Sequence, residues 1–153
     1  MSKLLIVCHG NINRSPLAAA ILSQYPHLEI RQGRLKFGHR DEPASRKMRD
    51  AATELGLNLE GHRSRDITLE DIAWADGVIY MDSGNLKRLQ AMVQETPQSE
   101  TMQAHCLAHF GDPPRTRIPD PAFIARGTQE FHDVVLLIKH CAERLAESLA
   151  PRS

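Results

Sequence analysis

The chain has 153 residues, the length of one domain with room for a real core, and its 19 basic residues balance 19 acidic ones. With no long basic stripe, that balance argues against nucleic acid as a partner. No apolar run approaches the ~18 residues of a membrane span, Lys3–Val7 is too short for a signal-peptide core, and three scattered cysteines make no secreted disulfide framework. A cytoplasmic protein with no membrane contact is therefore expected.

Lys3–Cys8 reads as a strand buried on both faces of a parallel sheet, and it should sit centrally. It runs into Val7-Cys8-His9-Gly10-Asn11-Ile12-Asn13-Arg14-Ser15-Pro16, which reads as a phosphate-binding nucleophile loop. The spacing Cys-x5-Arg lets a loop curled around one anion bring the sulfur beneath it and the guanidinium to its rim. Backbone N–H groups of His9, Gly10, Asn11, Ile12, Asn13, Arg14 and Ser15 can converge on phosphate oxygens, with the dipole of the following helix adding positive potential. The planar fork of Arg14 can hold two oxygens at once. The same donors favour a thiolate at Cys8. Gly10 and Asn11 suit left-handed or otherwise crowded backbone, and Pro16 suits a first helical turn.

A helix follows over Pro16–Ser23 and ends at Tyr25-Pro26. Leu28–Gln32 reads as a second strand whose Glu29 and Arg31 imply a polar face or an edge. Gly33–Asp41 is a basic loop carrying Phe37, read as a packed anchor or a pocket wall. A helix begins at Pro43, runs through Met48, Ala51, Ala52 and Leu55, and is closed by Gly56. Gly61-His62-Arg63-Ser64-Arg65 is a polar connector, and Thr68 with Asp71 forms a capping pair for a helix whose Trp74 is expected in the core. Asp76–Met81 supplies a third strand. Asp82-Ser83 caps the helix holding Leu86, Leu89 and Met92.

Gln94–Thr101 is read as a loop and Met102–Phe110 as a fourth strand. His105 and His109 lack a third ligand, so no metal site is expected. Asp112–Phe123 carries four prolines and should be a stiff surface loop. Within it Pro121 pushes Asp120 into extended backbone with its carboxyl projecting outward. The last helix, Thr128–Leu149, places Phe131, Val134, Val135, Ile138, Cys141, Leu145 and Leu149 on one face, making Cys141 structural. Alternating strands and helices imply a three-layer α/β sandwich with its ligand at the carboxyl ends of the strands.

Cys8-x5-Arg14-Ser15-Pro16, joined to Asp120-Pro121, resembles the low-molecular-weight protein tyrosine phosphatases over almost the whole chain. Gly61-His62-Arg63-Ser64-Arg65 is similar to that family's Gly-His-x-Ala/Ser-Arg stretch, and Met81-Asp82 with Asn85-Leu86 to its Met-Asp-x-x-Asn-Leu stretch. The resemblance implies a single domain over residues 1–153 with a four-stranded parallel sheet in the order 2-1-3-4. It also implies no cofactor and no metal, and a monomer acting on a phosphotyrosine protein or small aryl phosphate, with inorganic phosphate or sulfate able to occupy the loop. By the same resemblance Cys8 is the nucleophile, Arg14 stabilises the transferring phosphoryl group, Asp120 is general acid and then base, and Ser15 hydrogen-bonds the sulfur. Asn11 and His62 would brace the loop; for His62 a purely structural role is equally open.

Three departures stand out. Asn13 occupies the place of a frequent second cysteine, so oxidised Cys8 should lack a protecting disulfide. Ala122 follows Asp-Pro where an aromatic residue is common, which leaves Phe37 and Phe123 as candidate walls and implies weaker aryl selection. Arg31-Gln32-Gly33 stands where Ser-Ala-Gly is usual, so a hydroxyl supporting Asn11 is missing. Two other readings compete: a thioredoxin-coupled arsenate reductase, disfavoured because no cysteine follows Asp82 closely, and a non-catalytic phosphate-binding module.

Overall fold

The computed structural model describes residues 1–38 and 40–152, so His39 in the expected 33–41 loop lies outside the described residues. Its elements are β1 (Ser2–Cys8), α1 (Arg14–Leu22), β2 (Leu28–Arg34), α2 (Arg46–Glu54), α3 (Leu69–Trp74), β3 (Gly77–Tyr80), α4 (Ser83–Val93), α5 (Gln98–Thr101), β4 (Ala104–Cys106) and α6 (Gln129–Ser148). Two 3-10 turns, Leu107–Phe110 and Pro121–Phe123, complete them. The four strands form one parallel sheet in the order β2-β1-β3-β4. The apolar β1 is central and the more polar β2 lies at an edge, as their compositions require.

Right-handed crossovers dictate which face each helix covers. The step from β1 to β2 puts α1 on one face; reversing direction to reach β3 and then β4 puts α2, α3, α4 and α5 on the other. The chain then returns through α6, which packs against α1. Leu5, Ile6, Leu17, Leu22, Ile79, Leu89, Leu107 and Ile138 fill the layers between. Helix starts are fixed by side-chain caps: Ser45 accepts from Met48 N–H, Thr68 and Asp71 form a reciprocal capping box, Asp82 accepts from Asn85 N–H, and Thr128 from Phe131 N–H. Each such cap stabilises its helix by about 1 kcal/mol. Gly56 closes the α2 region at φ +77°, the left-handed geometry expected there.

Several elements differ from the sequence expectations. The helix expected from Pro43 starts at Arg46, because Ser45 takes the cap position. Residues 94–101, expected as a loop, contain the short α5, and the fourth strand is only three residues long before Leu107–Phe110 winds into a 3-10 turn. Trp74 is half-buried rather than in the core, its ring covered by the Arg31 guanidinium 4.3 Å from the centroid. Leu149 is exposed, as it follows the last residue of α6, whereas Cys141 is fully buried on the core face.

One close approach ties the edge of the sheet to the connector behind the loop. A Cβ at Gly33 would lie 2.4 Å from Ile67 Cγ2 and 3.0 Å from Arg65 O, so the absence of a side chain there lets residues 65–67 lie against β2. Arg34 N–H donates to Arg65 O at 2.7 Å, and Ile67 N–H donates to Arg34 O at 3.3 Å.

Candidate active site

Cys8 ends β1 beside β3, where the order of strands reverses, and the loop that follows opens at the carboxyl edge of the sheet. The loop is pinned on both sides. Leu35 N–H donates to Cys8 O and Lys36 N–H to His9 O, while Ser45 N–H donates to Ile12 O at 2.9 Å. Ser45 Oγ also donates to Asn13 Oδ1. Asn11 adopts φ +56°, the left-handed conformation that a short amide side chain tolerates.

That bend turns Asn11 into the keystone beneath the sulfur. Its Nδ2 donates to Ser15 Oγ at 2.7 Å and to Gln32 Oε1 at 3.1 Å, its Oδ1 accepts from Arg65 N–H at 3.4 Å, and its carbonyl accepts from His62 Nε2 at 2.7 Å. Because Ser15 Oγ already accepts from Asn11, its own hydrogen is free for Cys8 Sγ, 2.9 Å away. Asn11 N–H donates to the same sulfur at 3.3 Å. Two polar groups, the Ser15 hydroxyl and the Asn11 N–H, thus converge on one buried sulfur. Gln32 therefore supplies the acceptor for the loop asparagine that the sequence left without a hydroxyl.

Arg14 is buried to 2% exposure and held on three sides. Its Nη1 donates to Asp82 Oδ2 at 2.7 Å and to Ile118 O at 2.9 Å, and its Nη2 lies 3.7 Å from Asp120 Oδ2. Burial alone would raise the Asp82 carboxyl, but the Arg14 hydrogen bond and charge, helped by backbone N–H groups of Asn85 and Gly84, hold it below the ordinary carboxylate range. Asp120 is half-exposed, and its other oxygen accepts from Ala122 N–H at 3.0 Å, so the carboxyl caps its own turn while facing the guanidinium.

These groups share a cavity of about 200 Å³ lined by Cys8, His9, Gly10, Asn11, Ile12, Asn13 and Arg14, with Arg34, Lys36, Glu42, Asp120 and Ala122 at its sides. Ser15 and His62 lie outside the lining, Ser15 against the sulfur and His62 against the Asn11 carbonyl. Phe37 and Phe123 do not line the cavity: Phe37 is 46% exposed and Phe123 fully exposed. The aromatic walls expected from sequence are thus replaced by Lys36, Glu42 and Ala122. Burial, then Arg88 and Lys36, lower the His9 imidazole and favour its neutral form, with Asp120 opposing. Burial likewise lowers His62, against the hydrogen bond to Asn11.

A sequence model of the family described as low molecular weight phosphotyrosine protein phosphatase matches residues 3–152. The chain belongs to that family. Among its relatives is the low molecular weight protein-tyrosine-phosphatase Wzb of Escherichia coli K12, 30% identical over 151 residues that span 97% of this chain and 95% of Wzb. The structure of the tyrosine phosphatase Wzb from Escherichia coli K30 in complex with sulphate superposes with TM-score 0.84 at 26% identity, covering 98% of this chain and all of that one. The YwlE arginine phosphatase from Geobacillus stearothermophilus gives TM-score 0.81 at 28% identity over 97% of this chain and 93% of its own. Among the described residues of this low molecular weight phosphatase, no helix is long and apolar enough to cross a membrane.

Sequence reasoning missed Gln32, Arg34, Lys36 and Glu42, and it read Asp82 as a helix cap and as part of a family-like stretch without placing it beside Arg14. Asp82 does cap α4 through Oδ1, but it stands at the carboxyl end of β3, the position that could have marked it as a site residue.

Proposed function

We propose that residues 1–153 form a single, monomeric phosphatase domain that hydrolyses phosphomonoesters, protein phosphotyrosine above all, through a phosphocysteine intermediate. In the first step Cys8 sulfur attacks phosphorus, the S–P bond forms as the bond to the leaving oxygen breaks, and Asp120 gives that oxygen its proton. In the second, Asp120 takes a proton from water as the water oxygen attacks phosphorus; the S–P bond breaks, releasing inorganic phosphate and the thiolate. Arg14 and the loop N–H groups follow the charge on the equatorial oxygens through both steps. Ser15, by hydrogen-bonding the sulfur, makes it a better leaving group.

The observation that carries this reading is the convergence of Cys8, a buried Arg14 and a half-exposed Asp120 on one small cavity. The sulphate complex of Wzb supports an oxyanion in the loop. Three free thiols suit a reducing, cytoplasmic setting.

A second substrate class has one observation in its favour: Glu42 and Asp120 put two carboxyls on a cavity without an aromatic wall, able to hold a guanidinium, and YwlE is an arginine phosphatase. Turnover of p-nitrophenyl phosphate should vanish in Cys8→Ser and fall ~10²-fold or more in Asp120→Ala, the scale of general-acid catalysis. Parallel rates on phosphotyrosine peptide, phosphoarginine peptide and a small alkyl phosphate then rank the substrates. Undiminished turnover in Cys8→Ser would overturn the mechanism, and phosphate binding without any turnover would favour a binding module.

A further inference from the structure

Asp120 stands at the head of the Pro121–Phe123 turn and accepts from that turn's own Ala122 N–H, so a shift of the turn carries the carboxyl with it. The turn has little apolar anchorage: Pro121 is buried, while Ala122 and Phe123 are exposed. Beyond buried Pro121, the packing of Ile124 and the facing Arg14, it is tied down by Lys47 from the first turn of α2. An ammonium has three donors, and Nζ of Lys47 directs them at the carbonyls of Pro121, of Ala122 at 3.2 Å and of Ile124 at 2.8 Å. The same ammonium lies 5.7 Å from the centroid of the Phe131 ring of α6, whose face adds to its confinement.

Two residues earlier, Ser45 grips the other half of the site. Its N–H donates to Ile12 O, its hydroxyl donates to Asn13 Oδ1, and it caps α2 through Met48 N–H. One helical turn therefore holds the phosphate loop by Ser45 and the turn bearing Asp120 by Lys47. A rise of 1.5 Å per residue leaves the two grips about 3 Å apart along a rigid axis.

We infer that Lys47 is a positioning residue for Asp120, and that the first turn of α2 is the strut fixing the carboxyl's height over the Cys8 loop. This rests on the reading of Asp120 as general acid. Lys47 touches neither sulfur nor phosphate; it acts by keeping the proton donor within reach of the departing oxygen.

The test is the dependence on leaving group, because an oxygen that departs easily as an anion needs the acid less than one that does not. Wild type, Lys47→Met, Lys47→Arg and Asp120→Asn are compared on p-nitrophenyl phosphate and on phenyl phosphate, with inhibition by inorganic phosphate measured alongside. Lys47→Met should lower kcat/KM for phenyl phosphate at least ~10-fold, part of the ~10²–10⁴ available to general-acid catalysis, and for p-nitrophenyl phosphate under ~3-fold. Phosphate inhibition should stay within about twofold of wild type, and Lys47→Arg should restore most of the rate because a guanidinium also donates to carbonyls.

Equal losses on both substrates, or none, overturn the role of Lys47. If Asp120→Asn shows the leaving-group dependence and Lys47→Met does not, only this inference fails; if Asp120→Asn lacks it, the assignment of the acid fails. Should Lys47→Met fold poorly by thermal melting, Lys47→Ala, which also removes every donor, carries the same comparison.

Discussion

Replacing Asn11 by alanine tests how the loop beneath the sulfur is held. The side chain makes three hydrogen bonds, to Ser15 Oγ, Gln32 Oε1 and Arg65 N–H, in a residue with no exposed surface. At ~0.5–1.5 kcal/mol net for each bond, losing all three costs about 3 kcal/mol. Alanine also has to hold φ +56° without the local hydrogen bonding that lets asparagine do so, and ~1–2 kcal/mol is the penalty for left-handed backbone with a Cβ. Asn11→Ala should therefore lose about 4 kcal/mol, a large share of the ~5–15 kcal/mol typical of a folded domain. At ~2–4 °C per kcal/mol for a chain of this size, Tm should fall by about 8–16 °C. Asn11→Gly loses the bonds but escapes the backbone penalty, so it should lie ~1–2 kcal/mol above alanine. Urea and thermal unfolding of both variants measure this, with phosphate inhibition as the functional readout. Removing the carboxamide acceptor in Gln32→Ala should cost about 1 kcal/mol and be non-additive with Asn11→Ala, since both delete the same contact. If Asn11→Ala unfolds within about 1 kcal/mol of wild type, or alanine and glycine behave alike, the reasoning is wrong.

Peroxide should inactivate the enzyme irreversibly. Asn13 offers no neighbouring thiol, Cys106 is buried with its S–H directed at the carbonyls of Met81 and Thr116, and burial pushes the Cys141 thiol up to about 11. Full recovery of activity by thiol after excess peroxide, or a disulfide to Cys8 by mass spectrometry, would contradict this. His62 predicts a pH effect on stability. Its folded-state value lies below the ordinary 6.5 because burial disfavours the cation, so on acidification the unfolded chain takes the proton first. The stability it contributes is present above 6.5 and is lost as pH falls through its lowered folded value. His62→Gln should flatten part of that loss in urea unfolding at several pH values; part only, because His9 is lowered in the same sense. An unchanged slope would refute the assignment.

The local part of the site is the most legible in the sequence: the spacing of Cys8 and Arg14 on one loop points to an anion cradle, while the parts given to Asn11 and Ser15 rest on the family resemblance. The central position of β1 follows from its apolar run, and the burial of Cys141 from helical periodicity. Contacts made across the chain are not legible in that way. Gln32 reads as an ordinary polar residue on an edge strand until the fold brings Asn11 to it, and Lys47 reads as a solvated helix residue until the 121–124 carbonyls arrive. Leu107–Phe110 shows why a short apolar stretch is ambiguous, as it satisfies a strand or a tight turn equally well. Trp74 shows that an edge-strand arginine can shield an aromatic face as well as a core does. For Phe123 the residue type was right for a wall, but its place in the 3-10 turn sends the ring into solvent.

The bare backbone at Gly33 acts as a tolerance in the assembly. It is where the connector bearing His62 is let in close to the sheet, and through His62 and Arg65 that connector reaches the underside of Asn11. A single methyl group at this seam would wedge the connector outward and slacken the loop from below, leaving every group that faces substrate chemically intact. The set of the Cys8 loop is thus fixed partly by one hydrogen atom at the seam between β2 and the connector, on a residue that does not line the cavity.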